Sequence, residues 1–90
     1  MDGYPVEDGT VTHLYNQPIS VLASTDGRPS RFIWRGSSHR VARVVDVWVL
    51  QTLWWQGEVH RSYYRVLTPD WGVYDLFREK GQWYMATRLD

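Results

Sequence analysis

Nine of the ten basic residues are arginine, and five of them, Arg28, Arg31, Arg35, Arg40 and Arg43, fall between residues 27 and 45 with no acidic residue among them. A guanidinium forks onto phosphate and stacks on aromatic rings in ways an ammonium does not. The rings are supplied in quantity by six Trp, six Tyr and two Phe. The stretch "LWWQGEVHRSYYRV" sets Trp54 beside Trp55 and Tyr63 beside Tyr64, with Arg61 two residues before the tyrosines. Neighbouring side chains of an extended segment point to opposite faces, so a single core cannot take both members of either pair. An indole left outside the core, next to arginines, is a platform for a nucleobase, worth roughly 1 to 3 kcal/mol per stacked base. The chemistry expected of these residues is recognition of phosphates and bases by Arg31, Arg35, Arg40, Arg43, Arg61, Trp55 and Tyr63. Trp54 is expected to be buried and Trp55 peripheral.

The same residues have plainer uses. The arginines can pair with Asp46 and with the acidic start of the chain, where Asp2, Glu7, Asp8 and Asp26 stand without a base, and such surface pairs contribute little. Trp55 can seal a strand edge. Trp, Tyr and Arg are also enriched at protein-binding hot spots, so docking of a protein partner without nucleic-acid contact is the second reading. Catalysis and metal binding find less support. There is no cysteine, His13, His39 and His60 have no close ligand spacing, and Ser62 stands in no nucleophile motif. Glu58 with Asp75 or Asp46 would pair only by accident of folding. The expectation is a non-enzymatic module without metal or cofactor.

The elements that must position these groups read as β. From Ile19 onward, short runs rich in β-branched and aromatic residues alternate with turn signals: "ISVLAS", "RFIW", "HRVARVVDVWVL", "EVHRSYYRVLT", "GVYDLFRE" and "QWYMATRL". Asp26-Gly27 predicts a type I′ hairpin, Gly36-Ser37 a two-residue turn, and "TPDWG" a turn with Pro69 near its start and Gly72 as its left-handed residue. In the third run Val41, Val44, Val45 and Trp48 follow a helical spacing. Its five valines between residues 41 and 49 nevertheless favour a strand, with a bulge near Ala42 and Arg43. The fold expected is all-β, a curled antiparallel meander of about six strands, small and barrel-like, with an indented connection at residues 50–57 and Trp34, Trp48 and Trp83 in the core. Residues 1–17, with turn formers at Gly3, Pro5 and Gly9, are expected as a loosely held arm before a single domain over residues 18–90.

Ninety residues suit one core. The absence of cysteine suits a reducing compartment, and with no signal-peptide pattern and no long apolar run the expectation is a cytoplasmic protein with no membrane span. The free edges of an open meander leave room for a dimer.

The pattern "FIWRGSSHRVARVVDVW", "WW", "RSYYRV", "GVYDLFRE" and the closing "GQWYMATRLD" resembles a small bacterial family of unknown function, over about Gln17 to Asp90. The resemblance implies that relatives occur alone or as the C-terminal tail of proteins similar to Y-family translesion DNA polymerases. It carries no catalytic residues. What it implies is an accessory role in DNA repair or translesion synthesis, with single-stranded DNA, or a polymerase or related repair protein, as partner.

Overall fold

The computed structural model describes residues 12–54 and 57–89. The eight strands are β1 (Thr12–Ile19), β2 (Val21–Ala23), β3 (Pro29–Trp34), β4 (Ser37–Arg40), β5 (Arg43–Trp54), β6 (Gly57–Leu67), β7 (Val73–Glu79) and β8 (Gln82–Leu89). All pairings are antiparallel. One sheet has five strands in the order β1-β8-β7-β6-β5, and a second has three in the order β2-β3-β4. The fold is all-β and its large sheet is a meander, as the spacing of turn signals predicts, but it is open rather than closed into a barrel. No helix long and apolar enough to cross a membrane is present among the described residues.

The chain enters and leaves the small sheet at two crossings. Ile19 pairs with Trp83 in the large sheet and Val21 with Phe32 in the small one, so the first crossing is at Ser20. The second falls between consecutive residues: the Val41 amide donates to Ser30 in the small sheet at 2.9 Å, and the Ala42 amide donates to Leu67 in the large sheet at 2.8 Å. The run expected as one bulged strand is therefore two strands in different sheets. The bulge itself lies at Val45, between Val44 and Asp46. This division explains the mixed periodicity of the valines. Val41 and Val44 reach one core from two sheets, while Trp48, past the bulge, stands on the other face.

Other expectations are corrected in the same way. Residues 12–17, expected within a loose arm, form most of β1 and hydrogen-bond to β8; residues 1–11 lie outside the described residues. The connection expected at 50–57 is the far end of a long hairpin, with Trp54 paired to Gly57. Asp26-Gly27 is not a type I′ pair. Gly27 alone has positive φ, and its amide donates to Ser24 at 2.9 Å, giving a three-residue loop with a left-handed last residue. The type I′ turns are at Arg35-Gly36 and Lys80-Gly81, where both residues have positive φ.

The core lies between the sheets. Phe32 and Trp34 of β3 pack on Val66, Tyr74, Leu76, Trp83 and Met85 of the large sheet. In β3 these two alternate with the exposed Arg31 and Ile33, which consequently face outward. Trp48 is half-buried outside this core. Truncation of Phe32 or Trp83 to alanine is expected to cost about 3 to 5 kcal/mol, a large share of the roughly 5 to 13 kcal/mol available to a chain this size. Trp48→Ala should cost distinctly less. Urea unfolding of the three variants measures the difference.

Candidate nucleic-acid interface

The seven residues singled out from the sequence fall on different parts of the molecule. Arg31 and Arg40 stand directly opposite one another across the β3–β4 pair, both exposed on the outward face of the small sheet. Like charges in that relation repel. The Arg31 guanidinium donates to the Ser38 hydroxyl at 3.0 Å. Arg35, at the β3–β4 turn, lies over the rings of Tyr15 and Trp34, 5.2 and 5.1 Å from their centroids. Arg43 is exposed at the first residue of β5. No carboxylate among the described residues is within ion-pair distance of any of these four arginines. The expected pairing of the arginine block with Asp46 is absent from this set; Asp46 instead accepts the Val47 amide at 2.9 Å.

Arg61 and Tyr63 are on the outer face of the large sheet, turned away from the small one. There Trp48, Tyr63, Phe77 and Tyr84 form a row across β5, β6, β7 and β8. Trp48 and Tyr63 stack at 5.2 Å and 4°, and Phe77 and Tyr84 at 4.8 Å and 14°. Arg61 lies over Phe77 at 4.4 Å and bonds to Glu79 at 3.2 Å. Arg65 grips Asp75 with two bonds of 2.8 and 3.0 Å. Hydrogen bonds from these guanidiniums, to the Tyr63 hydroxyl and to Asp75 respectively, raise the pKa of both arginines. The inner members of the row have given their faces to each other, and Phe77 is only 2% exposed although no second sheet covers it among the described residues. The fit is that of a self-covering layer. Trp55 lies outside the described residues, as does the question of how the two indoles divide.

Beside the Arg31–Arg40 pair is a feature that sequence reasoning missed. An open cleft of about 310 Å³ is lined by Arg31, Ser38, His39 and Arg40 and by Thr68, Pro69 and Asp70 of the β6–β7 turn. The next residue of that turn is Trp71, 81% exposed, with φ at +70°. The loop repeats the architecture at residues 24–28. In both, the fourth residue's amide donates to the first residue's carbonyl and the first residue's hydroxyl meets the aspartate two positions on. The left-handed position holds Gly27 in one loop and Trp71 in the other. A large side chain in that conformation is costly, and such strain concentrates at functional positions. Gly72, expected as the left-handed residue, serves a close approach instead. A Cβ there would lie 2.7 Å from the Thr68 hydroxyl and 2.9 Å from the Tyr74 ring. The Gly72 amide donates to that hydroxyl at 3.0 Å. The signal available in the sequence was a tryptophan inside a turn motif, where no core needs one.

His39 completes the cavity wall, stacked on Phe32 at 5.1 Å. The Thr68 hydroxyl, bonded to Asp70, holds that carboxyl below its ordinary value of 3.8, and His39 adds a smaller pull in the same direction. Among the described residues, no three His, Asp or Glu side chains gather as a metal site requires.

A family model described as a domain of unknown function (DUF6504) matches residues 7–88, so the likeness begins before the stretch that carries the resemblance above. No curated protein and no solved structure matches the chain.

The turn geometry has measurable consequences. Trp71→Gly should raise stability by about 0.5 to 1 kcal/mol by relieving the left-handed backbone, whereas Gly72→Ala should lower it by about 1 to 3 kcal/mol through the Thr68 and Tyr74 contacts. Denaturant unfolding reads both. A carboxyl depressed in the folded state stabilises above its unfolded pKa, and that contribution is lost as pH falls through the lower folded value. The Asp70 carboxyl should accordingly titrate below 3.8 in a carbon-detected NMR titration and move upward in Thr68→Val.

Proposed function

We propose that this chain, which belongs to the DUF6504 family, binds single-stranded nucleic acid on the outward face of its small sheet. The observation that carries the reading is the Arg31–Arg40 pair, two exposed guanidiniums set against each other with no carboxylate in reach among the described residues. A phosphate between them converts repulsion into two charge-assisted contacts. Arg28, at the other end of β3, bonds only weakly to Asp26 at 3.8 Å, with both side chains more than half exposed, so it extends the basic face at little cost. Trp71 supplies a ring for a base. No aromatic ring or guanidinium stacks on it among the described residues. Arg35, held over Tyr15 and Trp34, and Arg43 flank the path. Arg61 and Tyr63 belong to the self-stacked layer on the other side of the molecule and stand outside the proposed path.

The biological setting comes from the resemblance to the tails of Y-family polymerase-like proteins. It supports an accessory, non-catalytic role in DNA repair or translesion synthesis, in the cytoplasm, that keeps a displaced single strand close to its enzyme. The competing reading is docking of a polymerase or repair factor without nucleic-acid contact. Salt separates the two, since phosphate binding weakens with ionic strength by counterion release and an apolar contact does not.

Fluorescence anisotropy of a labelled single-stranded oligonucleotide over a series of salt concentrations is the test. The parent protein should bind with a steep salt dependence. Arg31→Gln and Arg40→Gln should each flatten the log–log slope by about 0.7, the value per phosphate contact on a single strand. Trp71→Ala should lose roughly 1 to 3 kcal/mol of binding with the slope unchanged. A parent protein that does not bind at low salt refutes the proposal and leaves protein docking in front.

A further inference from the structure

The strand β5 is the outer strand of the large sheet, and among the described residues only β6 pairs with it. Its pairing with β6 runs the full length from Arg43 to Trp54. The next strand inward, β7, pairs with β6 only as far as Ser62. Beyond that point the hairpin projects as a two-stranded ribbon for about five residues, or roughly 16 Å. An isolated ribbon of this kind is marginal in water.

Past the bulge at its start, the exposed edge lacks the devices that keep edge strands apart. From Val47 to Trp54 the sequence "VWVLQTLW" has no charge, no proline and no glycine. Val47, Val49, Leu50 and Leu53 are all exposed, Val49 by 56% and Leu53 by 79%. The bulge at Val45 bends only the beginning of the strand, leaving Asp46 to Trp54 regular.

We infer that β5 pairs antiparallel with β5 of a second copy, about a two-fold axis at Leu50. The strand is complementary to itself in this register. Cross-strand register shows that Val47 and Leu53 lie on the face that carries Tyr64, whereas Leu50 shares the face of Tyr63 and Trp48. Centring the pairing on Leu50 sets Val47 opposite Leu53 of the second copy, Leu53 opposite its Val47, and Leu50 opposite its own equivalent. Val47, Leu50 and Leu53 each meet an aliphatic on their own face, and Val49 comes opposite the uncharged Gln51. Charges are equally compatible, because Asp46 comes opposite the uncharged Trp54 position and no like charges face each other. The register also places each projecting ribbon against the part of β5 that β6 and β7 support in the other copy. Both ribbons thereby gain a third strand, and two five-stranded sheets become one of ten. The proposal is independent of nucleic-acid binding, since Arg31, Arg40 and Trp71 are on other elements.

The absence of cysteine makes the register directly testable. Opposed residues of an antiparallel pair have Cα atoms about 4.5 to 5.5 Å apart, within the range a disulfide spans. Leu50→Cys should therefore cross-link to itself under mild oxidation at least tenfold faster than Leu22→Cys, which is the more exposed of the two and stands on the small sheet. The full chain should sediment as a dimer, and Leu53→Lys, an exposed substitution that leaves the core untouched, should raise the dimer Kd at least tenfold while near-UV circular dichroism stays as in the parent. A parent protein that remains monomeric at about 100 µM, far above the micromolar Kd of a modest interface, overturns the inference and leaves the edge open to an extended segment of another protein. So does a dimer in which Leu50→Cys cross-links no faster than Leu22→Cys.

Discussion

A five-stranded antiparallel sheet has two faces, and among the described residues a second sheet covers only one of them. Everything else follows from how the other face is kept from water. On the covered side Phe32 and Trp34 close over Val66, Leu76 and Met85, and the core is conventional. On the open side, rings and guanidiniums cover each other. Phe77 is enclosed by Tyr63, Tyr84 and Arg61, and Asp75 by the Arg65 fork, so an apolar sheet face is shielded by side chains of its own strands. Paired aromatics in offset or tilted contact add roughly 0.5 to 1.5 kcal/mol each beyond their buried area. The high aromatic content of so short a chain has its explanation in this second layer.

The small sheet owes its position to the crossings at Ser20 and at Val41–Ala42. With one strand boundary on each side tied into the large sheet, the β2–β4 unit is clamped at both ends over the meander. That clamp brings the β4 edge to the β6–β7 turn, and the cavity between Arg31, His39 and Asp70 is the result. Residues separated by some thirty positions in the chain meet because Ala42 bonds to Leu67, one residue before Thr68.

Much of the architecture was legible in residue types. Each of the six apolar runs contains a strand, and Gly27, Gly36 and Gly81 all mark turns with positive φ. What periodicity could not convey was the change of sheet within "HRVARVVDVWVL", since valines facing one core from two sheets produce a spacing that mimics a helix. The candidate site was legible in part. An acid-free arginine block announced Arg31 and Arg40, but that they oppose one another is a matter of register, and hairpin register depends on which two residues occupy the turn. Placing that turn at Arg35-Gly36 instead of Gly36-Ser37 shifts every pair by two residues of the return strand, so that Arg31 faces Arg40 rather than Ala42. Trp71 escaped notice because a five-residue turn offers two seats for a left-handed residue, and glycine was the obvious occupant.

The pairing of β1 with β8 joins Thr12 to Leu89, nearly the two ends of the described chain. Hairpins β5–β6, β6–β7 and β7–β8 close short loops, whereas this pair closes almost the whole chain and pays the larger entropy of closure. Among the described residues β1 therefore cannot be seated before β8 is in place. Until β8 is complete, the core that Phe32 and Trp34 of β3 pack against lacks Trp83 and Met85. The local hairpins of the meander are thus cheaper to close than the β1–β8 pair, and β1, an edge strand with Leu14 exposed beside its bulge, joins the projecting β5–β6 ribbon among the elements whose amides open most readily to exchange.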